Sequence, residues 1–365
     1  MLKHCIFTYI KLLGLALMLT LYSLNGLCTE VTLGVFYYPG WSPYIKGSHE
    51  PDPWAAIKPY PEREPLQGWY HDGKRDTLDQ QLTWMADYGI DFVAFDWYWE
   101  NARPAPESAV RAYLLSPERS RVRYALLWAN HTSEPRNLTE WDALVDYWIA
   151  RHLRNPEYLQ IDGKPALIVF SADGIRDQAK KIGYPIPVLL DRAREKAKLA
   201  GLAGIYFVLC VPATDYWVLE FVPKTGFDAI TGYNYHFGIE GNADKRTADS
   251  HSFKELDASY QMQWRWILKN SKLPYFLPMT SGWDKRPWGG SGQDPMHDNS
   301  MSNPDSFEAH LMTARKMMRA YPEKTKGIGM VCCWNEYGEG SYIEPTKMYD
   351  LEYLNRIKKV FRTSP

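Results

Sequence analysis

Eight short apolar runs alternate with stretches of helical periodicity, and this alternation constrains the fold more than any other feature of the chain. Several runs are continuously apolar, as strands are when both faces of a sheet are covered. A parallel sheet wrapped by helices is therefore predicted. The predicted strands are Leu33–Tyr38, Phe92–Asp96, Tyr124–Trp128, Ala166–Phe170, Tyr206–Cys210, Asp228–Thr231, Tyr275–Pro278 and Gly329–Cys333.

Eight strand–helix units in 365 residues favour an α/β fold, a (β/α)8 TIM barrel built as a single domain with long βα loops. An open doubly wound sheet is the alternative, but no G-x-G-x-x-G motif follows the first strand. The helix between the first two strands is predicted to end at Gly89. Other helix starts are predicted at Thr139 with Asp142, Ser252 with Glu255, and Asn303 followed by Pro304.

Three of the loops that follow predicted strands are unusually long. They run from Pro39 to about Arg75, from Tyr233 to His251, and from Thr280 to Ser302. Loops of this length are normally functional when they are ordered, and the reactive groups of a barrel lie on the loops after its strands. We expect these loops to wall a cleft.

The segment from Trp334 to Pro345 presents Glu336 and Glu339 in a glycine-rich loop directly after the last strand. Gly338 and Gly340 free the backbone on either side of Glu339, so both acids can turn toward one point. Two carboxyl groups that face one reacting group tend to differ in pKa, and glycoside cleavage uses such a pair as acid and base. The alternative is an incidental pair in a solvated loop.

Other polar and aromatic residues at strand ends are candidates for binding a substrate. Aromatic rings stack on the C–H faces of sugars, although most tryptophans in any protein fill the core. Asp96 could also be a paired core acid, and His131 a hydrogen-bonded structural residue. The predicted substrate-binding residues are Tyr38, Trp41, Asp96, Trp99, Trp128, Asn130, His131, Tyr233, Asn234, Trp283, Trp334, Asn335 and Tyr337.

Composition and the N-terminus restrict the partners and the location of the protein. A formal net charge of −1 gives no support to nucleic-acid binding. Residues 1–28 read as a signal peptide, because Lys3 and Lys11 precede an apolar run too short for a convincing membrane span. Residues 29–365 would then form the mature, secreted or periplasmic domain, without stable membrane insertion. A lipoprotein processed at Cys28 is the less favoured alternative.

The cysteines that remain after removal of residues 1–28 fall in apolar runs, so we expect buried thiols. They are Cys210, Cys332 and Cys333. Neighbouring residues of a strand point to opposite faces, and a disulfide between Cys332 and Cys333 is therefore not expected. No C-x-x-C or H-E-x-x-H spacing occurs, and neither a metal nor another cofactor is predicted.

Four motifs in order along the chain resemble the WbsX-type, glycoside hydrolase family 99-like proteins. They are the segments 36–41, 88–99, 128–131 and 334–345. Family 99 enzymes are (β/α)8-barrel endo-α-mannosidases, so the resemblance implies hydrolysis of a polysaccharide or complex glycan. The segment Tyr38–Trp41 differs from the aromatic pattern of the mannosidases, so specificity for mannan is not carried over.

The resemblance also implies roles for the two glutamates. Glu336 would assist attack by the sugar's own 2-hydroxyl, which gives a 1,2-anhydro intermediate. Glu339 would protonate the leaving oxygen and then activate water, with retention of anomeric configuration. Two alternatives stay open: a glycan-binding protein without catalysis, and a glycosyltransferase of polysaccharide biosynthesis, as which WbsX-type proteins have also been described.

Overall fold

A computed structural model of the protein describes residues 31–42, 52–105, 107–236 and 249–363. The predicted signal peptide lies outside these ranges. None of the helices in the described ranges has the length and apolar character that a membrane crossing needs. The residues from Val31 onward form one compact unit.

Parallel strands form the central sheet, and each lies beside its neighbour along the chain. The last strand pairs with the first, with Thr32 opposite Ile328. A parallel bridge from Ile230 to Tyr275 joins the sixth strand to the segment that leads into the seventh and closes the ring. The strands are β1 (Thr32–Tyr37), β2 (Phe92–Trp97), β3 (Arg123–Trp128), β4 (Lys164–Val169), β5 (Tyr206–Cys210), β6 (Ala229–Thr231), β7 (Leu277–Thr280) and β8 (Ile328–Cys332).

This ring confirms the predicted barrel, and every predicted strand lies within two residues of an observed one. Short strands outside the ring form antiparallel pairs at its margins or next to it. Gln160–Ile161 pairs with β4, Trp99–Glu100 with Arg103–Pro104, and Asn335–Glu336 with Ser341–Tyr342.

Alternate residues of each strand enter two different cores, because successive side chains of a strand point to opposite faces. In β3, Ala125 and Leu127 belong to the cluster inside the barrel, together with Phe36, Phe92 and other strand residues. Leu126 and Trp128 belong to the larger cluster between the strands and the surrounding helices. The parity of a position along its strand thus decides whether its side chain can reach the barrel mouth.

The helices cover the outside of the barrel. They are α1 (Arg75–Tyr88), α2 (Ser108–Leu115), α3 (Leu138–Trp148), α4 (Ala172–Ile182), α5 (Ile186–Leu199), α6 (Phe253–Asn270), α7 (Pro304–Ala320), α8 (Pro322–Thr325) and α9 (Glu352–Phe361). Short 3₁₀ or π segments are Pro61–Arg63, Pro117–Ser120, Ile149–Leu153, Tyr216–Phe221, Val222–Lys224, Arg286–Trp288 and Pro295–Asn299.

Most of the predicted helix boundaries are confirmed. Gly89 ends α1 in the left-handed conformation, the Ser252 side chain caps α6, and Asn303 forms a capping box at the start of α7. The predicted cap at Thr139 is wrong. Asn137 takes this place, since its side chain accepts a hydrogen bond from the Glu140 amide and begins α3 two residues earlier.

The adjacent cysteines contradict the sequence prediction. Cys332 and Cys333 form a disulfide, and the peptide bond between them is cis. The prediction assumed a continuing trans strand with alternating side chains. The cis bond instead brings the two Cα atoms to 3.0 Å. Cys210 is a buried free thiol, as predicted.

Candidate active site

The chain turns back on itself directly after β8 and presents the two predicted catalytic glutamates. Asn335 and Glu336 pair antiparallel with Tyr342 and Ser341. Gly340 has a φ of 70°, and a Cβ atom there would lie 2.7 Å from the Asp284 amide nitrogen. Only glycine fits this approach, which lets the loop after β7 pack directly on the glutamate loop.

Three carboxyl groups meet at the mouth of the barrel. The Tyr233 hydroxyl lies 3.0 Å from Glu336 Oε1 and 3.1 Å from Asp96 Oδ2. Since a hydroxyl has one proton, it cannot donate fully to both acids at once. The other oxygens, Glu336 Oε2 and Asp96 Oδ1, are buried without a hydrogen-bond partner among the described residues. Such orphaned acceptors are expected where a ligand completes the hydrogen bonding.

The acids around Tyr233 hold protons more strongly than ordinary carboxyl groups. Burial raises the pKa of Glu336 well above its usual value, and the nearby charges of Glu339 and Asp96 raise it further. The pKa of Asp96 is also raised, mainly by burial and in part by Glu339, although the Tyr233 hydrogen bond opposes this shift. Burial raises the pKa of Glu339 to about 7, against the lowering effect of Lys285. The cluster can therefore donate and accept protons near neutral pH.

The strand parity explains why Asp96 belongs to this cluster. Asp96 has the same parity in β2 as Phe92 and Ala94, which both face the barrel interior. It is the last interior position of that strand, and its side chain is 5% exposed. Tyr38 continues the parity of Phe36 just beyond β1 and is half-buried at the same mouth.

A large cleft of about 910 Å³ has Tyr38 and Tyr98 in its lining. Asp96, Glu336 and Glu339 are not among the described residues that line it. Burial raises the pKa of both phenols, and the charges of Glu336 and Asp96 raise it further. Sequence reasoning missed most of the lining, which comes from the loop after β1, the short pair Trp99–Glu100 and Arg103–Pro104, and the first turns of α2. It includes His71, Lys74, Glu100, Arg103 and Arg111.

Asn335 and Trp41 connect loops and do not face the cleft. The Tyr38 amide donates to Asn335 Oδ1 at 2.8 Å, and Asn335 Nδ2 donates back to the Tyr38 carbonyl at 3.0 Å. Trp41 Nε1 donates to the Asn335 carbonyl at 3.0 Å, while its ring stacks on Trp54 with centroids 3.9 Å apart. Both residues therefore hold the loop after β1 against the loop after β8.

Another buried acid, Glu344, stabilises the loop that carries Glu336 and Glu339. Glu344 is 2% exposed and accepts hydrogen bonds from Tyr70 Oη at 2.6 Å, Gln81 Nε2 at 2.7 Å and Tyr337 Oη at 2.9 Å. Burial nevertheless raises the pKa of Glu344 to about 7. The hydroxyl of Tyr337 is therefore engaged in this hydrogen-bond network. Sequence reasoning did not predict a role for Glu344, because its partners come from the distant first loop and α1.

One buried arginine fastens the long loops together. Arg63 forms an ion pair with Asp284, and both side chains are almost fully buried. Arg63 also donates to the backbone carbonyl of Tyr337 at 2.6 Å. The loops after β1, β7 and β8 therefore meet at this single guanidinium group, which has the planar donors that several acceptors require.

Three predicted aromatic residues lie in cores away from the cleft. Trp128 has no exposed surface and packs against Trp141 and Trp148 of α3. Trp99 and Trp334 belong to the same outer cluster. In this conformation their rings offer no face to a sugar.

Asn130 also has a structural place. Its side chain accepts from the Ser171 amide at 2.7 Å and donates to the Ser171 carbonyl at 2.9 Å. It is fully buried and fixes the ends of β3 and β4 relative to each other.

The remaining predicted residues stand around the mouth. His131 as a whole residue is exposed, and its ring lies edge-on to Tyr98. Partial burial of the ring lowers the pKa of His131. Asn234 donates to Ser341 in the glutamate hairpin at 2.7 Å. Trp283 follows β7 and stacks on His236 with ring centroids 4.3 Å apart. The structure thus brings Tyr38, Asp96, His131, Tyr233, Asn234 and Trp283 to the same rim as Glu336 and Glu339.

Barrel and rim together define a glycoside-hydrolase-like fold. A solved structure described as a glycoside hydrolase-like protein has a TM-score of 0.66 and 17% identity, and the match covers 92% of this chain and 95% of the other. The GH99 endo-alpha-mannosidase from Bacteroides thetaiotaomicron has a TM-score of 0.62 and 15% identity, with 90% of this chain and 96% of the other covered. Both likenesses establish the TIM-barrel fold.

The family follows from the sequence. The profile of the family described as Glycosyltransferase WbsX matches residues 59–357, so the chain belongs to this family. Uncharacterized protein WxcX of Xanthomonas campestris pv. campestris (strain B100) is 20% identical over 327 residues, which span 82% of this chain. The match covers 43% of that relative, less than half of its length. The motif resemblance to WbsX and family 99 proteins is thereby confirmed.

Proposed function

We propose that the protein is a glycoside hydrolase that cleaves a polysaccharide or complex glycan, with Glu336 and Glu339 as the catalytic pair. One observation carries the proposal: Glu339, with a pKa of about 7, stands on the same hairpin as the buried Glu336 at the barrel mouth. A carboxyl group with such a pKa can release a proton near neutral pH and take one back. Glycosidic bond cleavage needs this exchange.

Glu339 is the proposed acid because it is partly exposed, whereas Glu336 is buried. Its proton passes to the leaving oxygen as the bond from that oxygen to the anomeric carbon breaks. In the second step the resulting carboxylate takes a proton from water, the water oxygen bonds to the anomeric carbon, and the bond from that carbon to the sugar's 2-oxygen breaks. The first step takes a proton from Glu339, and the second step returns one to it.

Glu336 is the proposed base of the first step. Its unpartnered Oε2 can accept the proton of the substrate's 2-hydroxyl while that oxygen attacks the anomeric carbon and closes a 1,2-anhydro ring. Burial is the main cause of the raised pKa of Glu336; protonation of Asp96 and Glu339 removes the remaining charge repulsion, and the Tyr233 hydrogen bond favours the ionised form that the proposed base requires. In the second step Glu336 returns the proton that it took in the first step to the 2-oxygen as the 1,2-anhydro ring opens. Two successive displacements at the anomeric carbon then give a product with retained configuration.

Glycosyl transfer is the second candidate function, because the matched family is described as a glycosyltransferase. The same pair of acids could pass the sugar to an acceptor hydroxyl instead of water. Transfer lengthens an oligosaccharide, whereas hydrolysis shortens the substrate and releases a new reducing end. A glycan-binding protein would do neither.

We also propose that the protein is exported, on the basis of the apolar run in residues 1–28. Expression of the full chain followed by cell fractionation and N-terminal sequencing tests this proposal. An N-terminus at Thr29 in the secreted or periplasmic fraction is expected. A cytoplasmic protein that keeps Met1 would contradict it.

The activity test uses purified protein and a panel of bacterial, fungal and plant polysaccharides, with product length and reducing ends both measured. Glu336→Gln and Glu339→Gln should each lower the rate by about 10²- to 10⁴-fold. Glu323→Gln, an exposed change in α8, is the matched control. Retained activity in both active-site variants would refute the assignment, and products longer than the substrate would favour transfer.

A further inference from the structure

A cluster of metal-binding side chains lies at the rim, separate from the three carboxyl groups. His236 follows β6, Asp249 lies at the end of the same loop, and His297 belongs to the loop after β7. Their ligand atoms all lie within 4.8 Å of one another. We propose that these residues bind one divalent transition-metal cation, of which Zn²⁺ fits the donor set best.

The spacing of the imidazoles fits a shared ion. His297 Nε2 lies 3.3 Å from His236 Nδ1. When two imidazole nitrogens bind one Zn²⁺ at the usual Zn–N distance with a tetrahedral N–Zn–N angle, they stand about 3.3–3.4 Å apart. In a tetrahedral site every pair of ligand atoms stands about 3.3–3.6 Å apart, so the Asp249 carboxylate, now within 4.8 Å of the imidazole nitrogens, moves inward by up to about 1.5 Å on binding.

The surroundings of His297 prepare its nitrogen for a metal. This side chain is 2% exposed, and its Nδ1 lies 2.8 Å from the Ser250 carbonyl oxygen. Because a carbonyl only accepts, Nδ1 carries a proton, and Nε2 is the ring atom that lies toward His236. A backbone carbonyl on the far nitrogen is the usual support of a metal-binding histidine. The Ser300 hydroxyl donates to the same carbonyl at 2.9 Å and fixes it.

Trp283 forms an apolar backing for the cluster. Its ring stacks on His236 with centroids 4.3 Å apart and on His297 with centroids 5.5 Å apart. The indole restricts both imidazole planes and excludes water from one side of the site. Two imidazoles and one carboxylate form the ligand set of many zinc sites that keep a fourth position for water.

The proposed ion joins two walls of the cleft. His236 and Asp249 belong to the loop after β6, whereas His297 belongs to the loop after β7 and is separated from His236 by 61 positions. Binding one ion across this gap would hold the two loops, and Trp283 between them, in one arrangement. Motif searches miss the site because the ligands have no characteristic local spacing.

Metal binding by the full-length protein tests the proposal without any substrate. Protein stripped with a chelator is titrated with Zn²⁺ in competition with a chromophoric chelator, and with Co²⁺ while the visible spectrum is recorded. We expect one Zn²⁺ per chain, the intense visible bands of four-coordinate Co²⁺, and a higher melting temperature with Zn²⁺.

His236→Ala and Asp249→Asn should each weaken Zn²⁺ binding by at least about tenfold, because each removes a direct ligand. His251→Ala is the matched control, since His251 is an exposed histidine of the same loop and pairs with Asp294 at 2.8 Å. Its affinity for Zn²⁺ should equal that of the wild type. Near-UV circular dichroism verifies that the variants are folded.

Two results would overturn the inference. One is wild-type protein that takes up less than one Zn²⁺ per chain, which would leave the imidazoles as a hydrogen-bonded pair. The other is stoichiometric binding that His236→Ala and His251→Ala leave equally strong.

Discussion

Removal of the proposed acid at Glu339 should change both the rate and its dependence on pH. Burial raises the pKa of Glu339 from 4.5 to about 7. At a pKa of 4.5 only about 0.3% of the side chain would be protonated at pH 7, whereas at a pKa of about 7 roughly half is protonated. The fold therefore increases the supply of catalytic acid at neutral pH by about two orders of magnitude.

The same pKa sets the alkaline limb of the rate. The protonated fraction of Glu339 falls from about one half at pH 7 to about 1% at pH 9, so kcat/KM should decrease about 50-fold between these values. Glu339→Gln cannot donate a proton and should lose about 10²- to 10⁴-fold at pH 6, equivalent to about 3–5 kcal/mol of barrier. The residual kcat/KM of Glu339→Gln should not show this decrease between pH 7 and pH 9.

The assay is the pH profile of kcat/KM on the substrate found in the polysaccharide screen and on an aryl glycoside of the same sugar. A phenolate of low pKa leaves without protonation, so Glu339→Gln should be much less defective on the aryl glycoside. Glu336→Gln should be defective on both substrates, because the attack that Glu336 assists is the displacement that expels either leaving group. Glu323→Gln should keep the wild-type profile.

Two outcomes would refute this reasoning. One is an alkaline limb in Glu339→Gln that matches the wild-type limb, since another group would then supply the proton. The other is an equal loss on natural and activated substrates, which would indicate a role for Glu339 in binding or folding and not in protonation.

Three further predictions concern stability, each measured by urea unfolding. The pKa of Glu344 is about 7 in the folded protein and 4.5 ordinarily, so its contribution to the free energy of unfolding is complete below pH 4.5 and is lost as the pH rises through 7. The free energy of unfolding should therefore fall by about 3 kcal/mol between pH 5 and 8 because of Glu344, and Glu344→Gln should remove this fall. An unchanged dependence on pH in the variant would contradict the prediction. Arg63→Met leaves the buried Asp284 paired, among the described residues, only with the exposed Arg286 and removes the donor to the Tyr337 carbonyl, so it should cost about 2–4 kcal/mol. The exposed Lys58→Met should cost under about 1 kcal/mol, and equal losses would argue against a role for Arg63 in holding the loops together. Trp41→Ala removes a stacked ring that is 1% exposed and should cost about 3–5 kcal/mol, and a stable variant with weakened glycan binding would instead restore its predicted role in the cleft.

The sequence by itself determined the elements of the barrel. Short apolar runs, several of them continuous, located all eight of its strands, because a strand covered on both faces carries apolar side chains at most positions. Gly89 and Ser252 ended and began their helices as predicted, because these signals act through backbone bonds within a few residues. The loop that carries Glu336 and Glu339 could also be predicted from the sequence, since its acids, its glycines and the preceding strand occur in one continuous segment.

Only the tertiary structure decided which residues reach the cleft. Trp128 and Asp96 both end strands, yet the parity of their positions sends one to the helices and the other to the acid cluster. A count along β2 and β3 could have separated them. Nothing local indicated the pairing of Glu344 with distant tyrosines, or the approach of His236 to His297. Backbone propensity and burial act over a few residues, whereas the protonation and ligands of a site depend on side chains that meet only when the barrel closes.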